Sequence, residues 1–171
     1  ELKIAGGITL NRSVGGLNPQ AVEKMARMGG KMVWFPTLES LEYQKFRNPG
    51  KTAEELPEGL LTVFGQNGEL KKEVYEILKL CSEYDLAVGT GHMAANADNP
   101  ADAYTVEQQK EAVSMGAFIE HCYFTTYYNR VSASEICRQI GAVGTNHVIL
   151  STDFGQTESP HSDEGLEEYG S

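Results

Sequence analysis

Apolar and polar positions follow two alternating patterns along the chain. Short apolar runs, which are typical of buried strands, stand at 2–10, 31–36, 60–64, 86–91, 117–124 and 148–150. Between most of them, apolar residues recur every three or four positions, as on the buried face of a helix, at 19–28, 69–84, 105–115 and 133–143. Strands and helices that alternate in this way predict an α/β fold with a parallel sheet.

Three of the predicted helices carry start signals. Asn18 precedes Pro19, which combines a favourable capping residue with proline at the first helical position. Thr105 and Ser132 are each followed three residues later by Gln or Glu, the spacing of a capping box. These signals predict where the three helices begin.

Two stretches are predicted to be irregular. Residues 41–61 are polar, carry two Pro/Gly turn signals and form a connection longer than is usual in a compact domain. Such a segment is either a lid, in which Tyr43, Lys45, Phe46 and Arg47 reach over a pocket, or an ordinary excursion into solvent. Residues 156–171 are polar and acidic, and we expect a loop there with at most a short helix at 165–169.

Three of the predicted strands end in a residue that can bind a metal ion. His92 and Asp153 come directly after their apolar runs, and His121 lies in the run that starts at Ala117. Because the carboxyl ends of parallel strands lie at one edge of a sheet, we expect these side chains to converge. Imidazole and carboxylate are the usual ligands of a catalytic divalent ion, for which zinc is the first choice and manganese or iron the alternatives.

Each of these residues also has a purely structural interpretation. A single histidine near a strand end is commonly hydrogen-bonded within the fold, and an aspartate after Ser-Thr can cap the next turn. No HxH or HExxH motif in the sequence strengthens the metal interpretation. His147 stands at the opposite end of its strand and is predicted to be structural, while His161 lies in the polar tail.

A glycine-rich loop precedes the first predicted helix and contains Asn11, Arg12, Gly15 and Gly16. Backbone N–H groups at the start of a helix favour anions, so this loop is predicted to hold a carboxylate or phosphate of a small substrate. Glu39, in the polar segment after the second strand, is assigned to the same substrate-binding group. The alternative interpretation is a turn in which glycine only relieves the backbone.

Composition and charge narrow the range of partners. A chain of 171 residues is long enough for one domain with a sizeable core. A net charge of -10 and a pI near 4.8 argue against nucleic acid and against an anionic membrane surface as partners. A small-molecule substrate is therefore the expected partner, and the sequence is compatible with a homo-oligomer.

The three cysteines are Cys81, Cys122 and Cys137, an odd number without CxxC spacing. This pattern favours free thiols and a reducing cytoplasm over a disulfide scaffold. Cys122 follows His121 and is either a nucleophile or a small buried side chain, and the second interpretation is favoured.

Several of these stretches together resemble a known group of enzymes. The similar stretches are the runs Gly6–Pro19, Val33–Thr37, Thr90–His92, Ile119–Cys122 and Leu150–Gln156. They resemble an uncharacterised branch of the amidohydrolase-like, metal-dependent TIM-barrel hydrolases, over nearly all of the chain.

The resemblance implies a (β/α) barrel formed by a single domain over residues 1–171. It implies that His92 is a metal ligand from the middle of the barrel and that Asp153 is the ligand on the last strand. Asp153 would also be the catalytic base that takes a proton from the metal-bound water. His121 would be an alternate ligand or a residue that lines the pocket.

The chain also departs from such barrels. An HxH pair is absent, strands expected before Glu1 are missing, and one β/α unit is missing after Met93, so we expect an incomplete barrel. The predicted function is metal-dependent hydrolysis of a small anionic substrate through a metal-activated water. The alternatives are a metal-dependent decarboxylase or other lyase on the same scaffold, and a metal-free binding or scaffold protein.

Overall fold

A computed structural model describes residues 4–92, 105–127, 131–155 and 157–169. The chain folds as two compact units, over residues 1–98 and 99–171, and each contains its own parallel sheet. The single domain predicted over residues 1–171 stays a prediction. Among the helices that the structure describes, none is long and apolar enough to cross a membrane.

The first unit is built on a three-stranded parallel sheet. Its strands are Gly7–Thr9 (β1), Met32–Trp34 (β2) and Ala87–Gly89 (β3), with β2 in the middle. The register places Thr9, Trp34 and Gly89 side by side. The segments that follow the three strands therefore leave the sheet at the same edge.

Two amphipathic helices complete this unit. Helices α1 (Pro19–Arg27) and α3 (Lys72–Glu83) pack against each other, as expected from their apolar stripes. The predicted cap of α1 is confirmed, because the Oδ1 of Asn18 accepts the N–H of Ala21 at 3.2 Å. The buried core of the unit consists of Leu10, Val22, Val33, Phe35, Val63, Val74, Ile77 and Cys81.

The segment at 41–61 is more ordered than the sequence predicts. It contains helix α2 (Leu41–Arg47) and a 3-10 turn at Ala53–Glu55. Its two ends are held together, because the N–H of Leu41 binds the carbonyl of Leu61 at 2.8 Å. The apolar run at 60–64 is not a strand: Leu61 and Phe64 each form only an isolated bridge.

The second unit contains a two-stranded parallel sheet, formed by Ile119–Cys122 (β4) and Val148–Ser151 (β5). Helices α4 (Val106–Ser114) and α6 (Ala133–Val143) pack against each other. The capping box of α4 is confirmed. At α6 the Oγ of Ser132 caps the helix as predicted, while the carboxylate of Glu135 binds Arg138 instead of closing the box.

Two further helices contribute to an aromatic cluster in this unit. They are α5 (Tyr123–Tyr127), which the sequence does not predict, and α7 (Ser162–Tyr169), which is longer than predicted. The ring of Tyr123 stacks on Tyr169 with centroids 4.8 Å apart, and Phe154 contacts Tyr123 at 5.8 Å. A Cβ at Gly165 would meet the ring of Phe154, so α7 packs closely on this aromatic cluster.

The predicted (β/α) barrel is wrong. The described strands form two separate parallel sheets, of three and two strands, and no closed barrel. A barrel requires each strand to bind two neighbours in one continuous sheet, and among these strands only β2 does so. The α/β class and the parallel pairing are confirmed. The place of the β/α unit expected after Met93 lies outside the described residues.

Candidate functional site at the carboxyl edge of the three-stranded sheet

Polar residues gather where the three strands of the first unit end. Asn11 follows β1, and its side chain makes two hydrogen bonds with Thr37, which follows β2. The Nδ2 of Asn11 donates to the Oγ1 of Thr37 at 3.0 Å, and the Oδ1 accepts the N–H of Thr37 at 3.1 Å. After β3, the N–H of His92 donates to the carbonyl of Pro36 at 3.0 Å. The three strand ends are thereby fixed to one another.

Arg12 and Glu39 form an ion pair at the same edge. The Nε of Arg12 donates to the Oε1 of Glu39 at 2.7 Å, and a terminal nitrogen donates to the carbonyl of Glu58 at 2.9 Å. Hydrogen bonds from the Arg12 side chain and backbone lower the pKa of Glu39 below its ordinary value. Arg12 thus already has a carboxylate partner, and the predicted roles of Arg12, Glu39 and Asn11 in substrate binding stay predictions.

The glycine pair of the loop after β1 is explained by local geometry. Gly15 and Gly16 have φ angles of 90° and 71°, which favour glycine. Their N–H groups donate to the carbonyls of Arg12 and Asn11 at 2.9 and 3.0 Å. A Cβ at Gly16 would lie 3.0 Å from the side chain of Leu61. Both N–H groups are used within the loop, so the turn interpretation accounts for these glycines without an anion.

His92 is held on several sides. Its backbone carbonyl accepts the Oγ of Ser40 at 2.8 Å, in addition to the bond from its N–H to Pro36. Its imidazole stacks on the ring of Tyr43, with centroids 4.5 Å apart and planes inclined by 26°. The Nδ1 of the ring is shielded from solvent. The structure places this imidazole at the edge where the sequence predicts it.

The other two predicted ligands belong to the second unit. His121 lies on β4 and is 8% exposed. Burial lowers the pKa of its imidazole, which therefore favours the neutral form. Its Nε2 has no hydrogen-bond partner among the residues that the structure describes. Asp153 follows β5, is exposed, and has a φ of 53°, a left-handed conformation that aspartate tolerates better than most residues.

Cys122 lies beside His121 on β4 and is paired with Ser151 on β5. Burial raises the pKa of the Cys122 thiol to about 11; the hydroxyl of Ser151 opposes this shift, and the nearby carboxylates of Glu120 and Asp153 add to it. The Oγ of Ser151 donates to the Sγ at 3.4 Å. A thiol in this state is protonated at neutral pH, which supports the packing interpretation over the nucleophile.

The three predicted metal ligands are thus divided between the units: His92 belongs to the first, and His121 and Asp153 to the second. Within the described ranges, no group of three or more His, Cys, Asp or Glu side chains is placed to hold a metal ion. The metal assignment of His92, His121 and Asp153, and the catalytic role of Asp153, stay predictions.

Two residues of the first unit were missed by the sequence reasoning, namely Ser40 and Thr37. Ser40 is fully buried and caps α2, with its Oγ accepting the N–H of Tyr43 at 3.0 Å. A signal for it was available: a serine followed by Leu41 and Glu42, an acidic residue in the first turn, is a typical helix start. Thr37 stands in the polar stretch directly after the second strand, but its hydrogen bonds could not be predicted, because its partner Asn11 is distant in sequence.

Comparison with known protein families shows the family to which the chain belongs. The sequence model of a family described as "Family of unknown function (DUF6282)" matches residues 1–98, more than half of the 171 residues. The chain belongs to the DUF6282 family. The DUF6282 match ends where the first compact unit ends, so it contains the whole edge around His92 and excludes His121 and Asp153. No curated protein and no solved structure matches the chain.

Proposed function

We propose that this DUF6282 protein is a metal-dependent hydrolase of a small anionic molecule, and that the substrate lies beside His92 at the carboxyl edge of β1, β2 and β3. The observation that carries the proposal is the fixed imidazole of His92. Its backbone is bound through both N–H and carbonyl, and its ring lies against Tyr43. An imidazole held in place before substrate binds can accept a proton from an attacking water or bind an ion.

The two parts of the proposal have different support. Among the described residues no three potential metal ligands lie together, so the metal requirement rests on the sequence alone. The proposal that the substrate is anionic rests on the positive charge of Arg12, whose guanidinium binds Glu39 in this structure. Free cysteines at 81, 122 and 137 support a cytoplasmic location.

A non-catalytic, metal-free binding protein is the second candidate. It is favoured by the way in which Asn11, Thr37, Arg12 and Glu39 hydrogen-bond to one another. Polar side chains that bind one another in this way form a rigid binding or scaffold surface. In such a protein His92 would be held in place but would take part in no reaction.

A screen of product chemistry separates these functions. Purified protein is stripped of metal, then assayed with and without Zn²⁺, Mn²⁺ and Fe²⁺ against small carboxylate and phosphate esters, amides, lactones and carboxylic acids. The proposal predicts metal-stimulated turnover with one oxygen from ¹⁸O-labelled water in the product. Release of CO₂, with no solvent oxygen in the organic product, would indicate a decarboxylase instead. Failure of the stripped protein to bind any of the three ions, together with no turnover of any compound, would favour the binding protein.

A further inference from the structure

The first turn of α2 contacts His92 at two points. The Oγ of Ser40 donates to the His92 carbonyl at 2.8 Å and accepts the N–H of Tyr43 at 3.0 Å. The ring of Tyr43 then stacks on the imidazole at 4.5 Å. One helix start therefore fixes both the peptide group and the ring of His92.

Ser40 differs from the other serine and threonine caps of the described helices. Ser132 and Thr105 cap α6 and α4 with similar hydrogen bonds, but both are exposed. Ser40 is completely buried. A buried hydroxyl costs free energy unless both its donor and its acceptor are used. The hydroxyl of Ser40 has two acceptors within reach, the His92 carbonyl at 2.8 Å and the Oε2 of Glu42 at 3.4 Å, and the His92 carbonyl is the closer one. Capping alone explains a serine at this position but does not explain its contact with the His92 peptide.

The backbone just before His92 lies close to the segment that follows β2. Gly91 has a φ of 61°, and a Cβ there would lie 2.6 Å from the carbonyl oxygen of Pro36. The carbonyl of that same Pro36 accepts the N–H of His92. The loop after β3 thus fits tightly between the segment after β2 and the start of α2, and both of these carry residues that hold His92.

We propose that Ser40 and Tyr43 are positioning residues for His92. Ser40 fixes the direction of the His92 peptide, and Tyr43 fixes the plane of the imidazole. In this arrangement the first turn of α2 is part of the site. The inference rests on the proposed function for its catalytic consequence, but the positioning itself can be measured without a substrate.

The first test is the NMR signal of the His92 ring protons in the substrate-free protein. The ring current of Tyr43 shifts these protons upfield, so Tyr43→Leu is expected to move them toward the positions of a free histidine, and Tyr43→Phe to leave them in place. Tyr75→Leu on α3 removes an equally large, 59% exposed ring and is the matched control. Unchanged His92 signals in Tyr43→Leu would overturn the role of Tyr43.

The second test compares two caps. Ser40→Ala and Ser132→Ala each remove one N-cap hydrogen bond, and both are expected to lower the Tm. Only Ser40→Ala is expected to move the His92 signals. Equal, negligible movement in both variants would overturn the role of Ser40. If Ser40→Ala does not fold, Ser40→Cys keeps the side-chain volume, and it is expected to move the same signals.

The third test uses any substrate identified by the screen. Misplacing a reacting group by about 1 Å lowers turnover by on the order of 100-fold, so Tyr43→Leu and Ser40→Ala are expected to lower kcat by about 10–100-fold. Tyr43→Phe is expected to retain the wild-type rate. Wild-type kcat in Tyr43→Leu and Ser40→Ala, with His92→Asn inactive, would overturn the positioning role and leave the proposed function standing. Full activity of His92→Asn would instead overturn the proposed function, while the NMR comparison would still decide the positioning.

Discussion

Arg12 binds both oxygens of the Glu39 carboxylate, through its backbone N–H at 2.6 Å and its Nε at 2.7 Å. A terminal nitrogen of the same guanidinium binds the carbonyl of Glu58. One side chain therefore joins the segment after β1, the segment after β2 and the turn before Gly59. The pair is part of the framework around His92, whichever molecule binds there.

The Arg12–Glu39 pair predicts a pH dependence of stability. The pKa of Glu39 is held below its ordinary value of 4.5 in the folded protein, so the folded state binds fewer protons than the unfolded state near that pH. The stabilisation is therefore present above pH 4.5 and is lost as the pH falls through the lower, folded pKa. We expect the difference in Tm between wild type and Glu39→Gln to be largest near pH 7 and to shrink below pH 4.5. A difference that is constant from pH 7 to the acid limit of folding would contradict this.

Gly91 is predicted to be a sensitive position of the His92 loop. Its positive φ alone disfavours alanine by about 1–2 kcal/mol. A Cβ would in addition meet the backbone carbonyls of Phe35 and Pro36, which cannot move without disturbing β2. Gly116 also has a positive φ, 91°, but an added Cβ there meets nothing within 4 Å. Urea unfolding should therefore show a larger loss of stability for Gly91→Ala than for Gly116→Ala, and equal losses would show that the loop after β3 is looser than described.

Cys122 is predicted to react slowly despite its position beside His121. With a pKa of about 11, only about one thiol in a thousand is ionised at pH 8, and the thiolate is the reactive form. Cys137 is exposed on α6. Mass spectrometry after brief treatment of the folded protein with iodoacetamide should find Cys137 modified and Cys122 unmodified. Alkylation of Cys122 at the rate of Cys137 would revive the nucleophile interpretation.

The sequence predicted local structure well where one short signal determines it. Asn18 and Thr105 cap their helices as expected, because a cap depends on residues within one turn. The prediction of a barrel was wrong because closure of a barrel depends on which strands pair, and these strands are distant in sequence. Alternation of strands and helices is the same whether all strands share one sheet or, as here, β3 and β4 belong to different sheets.

The same distinction applies to the candidate site. The end of an apolar run was enough to place His92 at the carboxyl edge of its sheet. Its supports could not be predicted, because the contacts of Ser40 and Tyr43 with His92 join residues about fifty positions apart. The sequence also could not show that Arg12 binds Glu39. The carboxylate of Glu39 occupies the guanidinium that was predicted to bind an anionic substrate.

The most direct test of the account is the rate of the proposed hydrolysis in His92→Asn compared with His161→Asn. Both substitutions remove an imidazole, but His161 is an exposed side chain of the second unit. Loss of a positioned acid–base group typically lowers turnover by about 100–10,000-fold, so we expect a loss of that size for His92→Asn and wild-type turnover for His161→Asn. Equal turnover in the two folded variants would contradict the proposal that the active site lies at the edge of the sheet around His92.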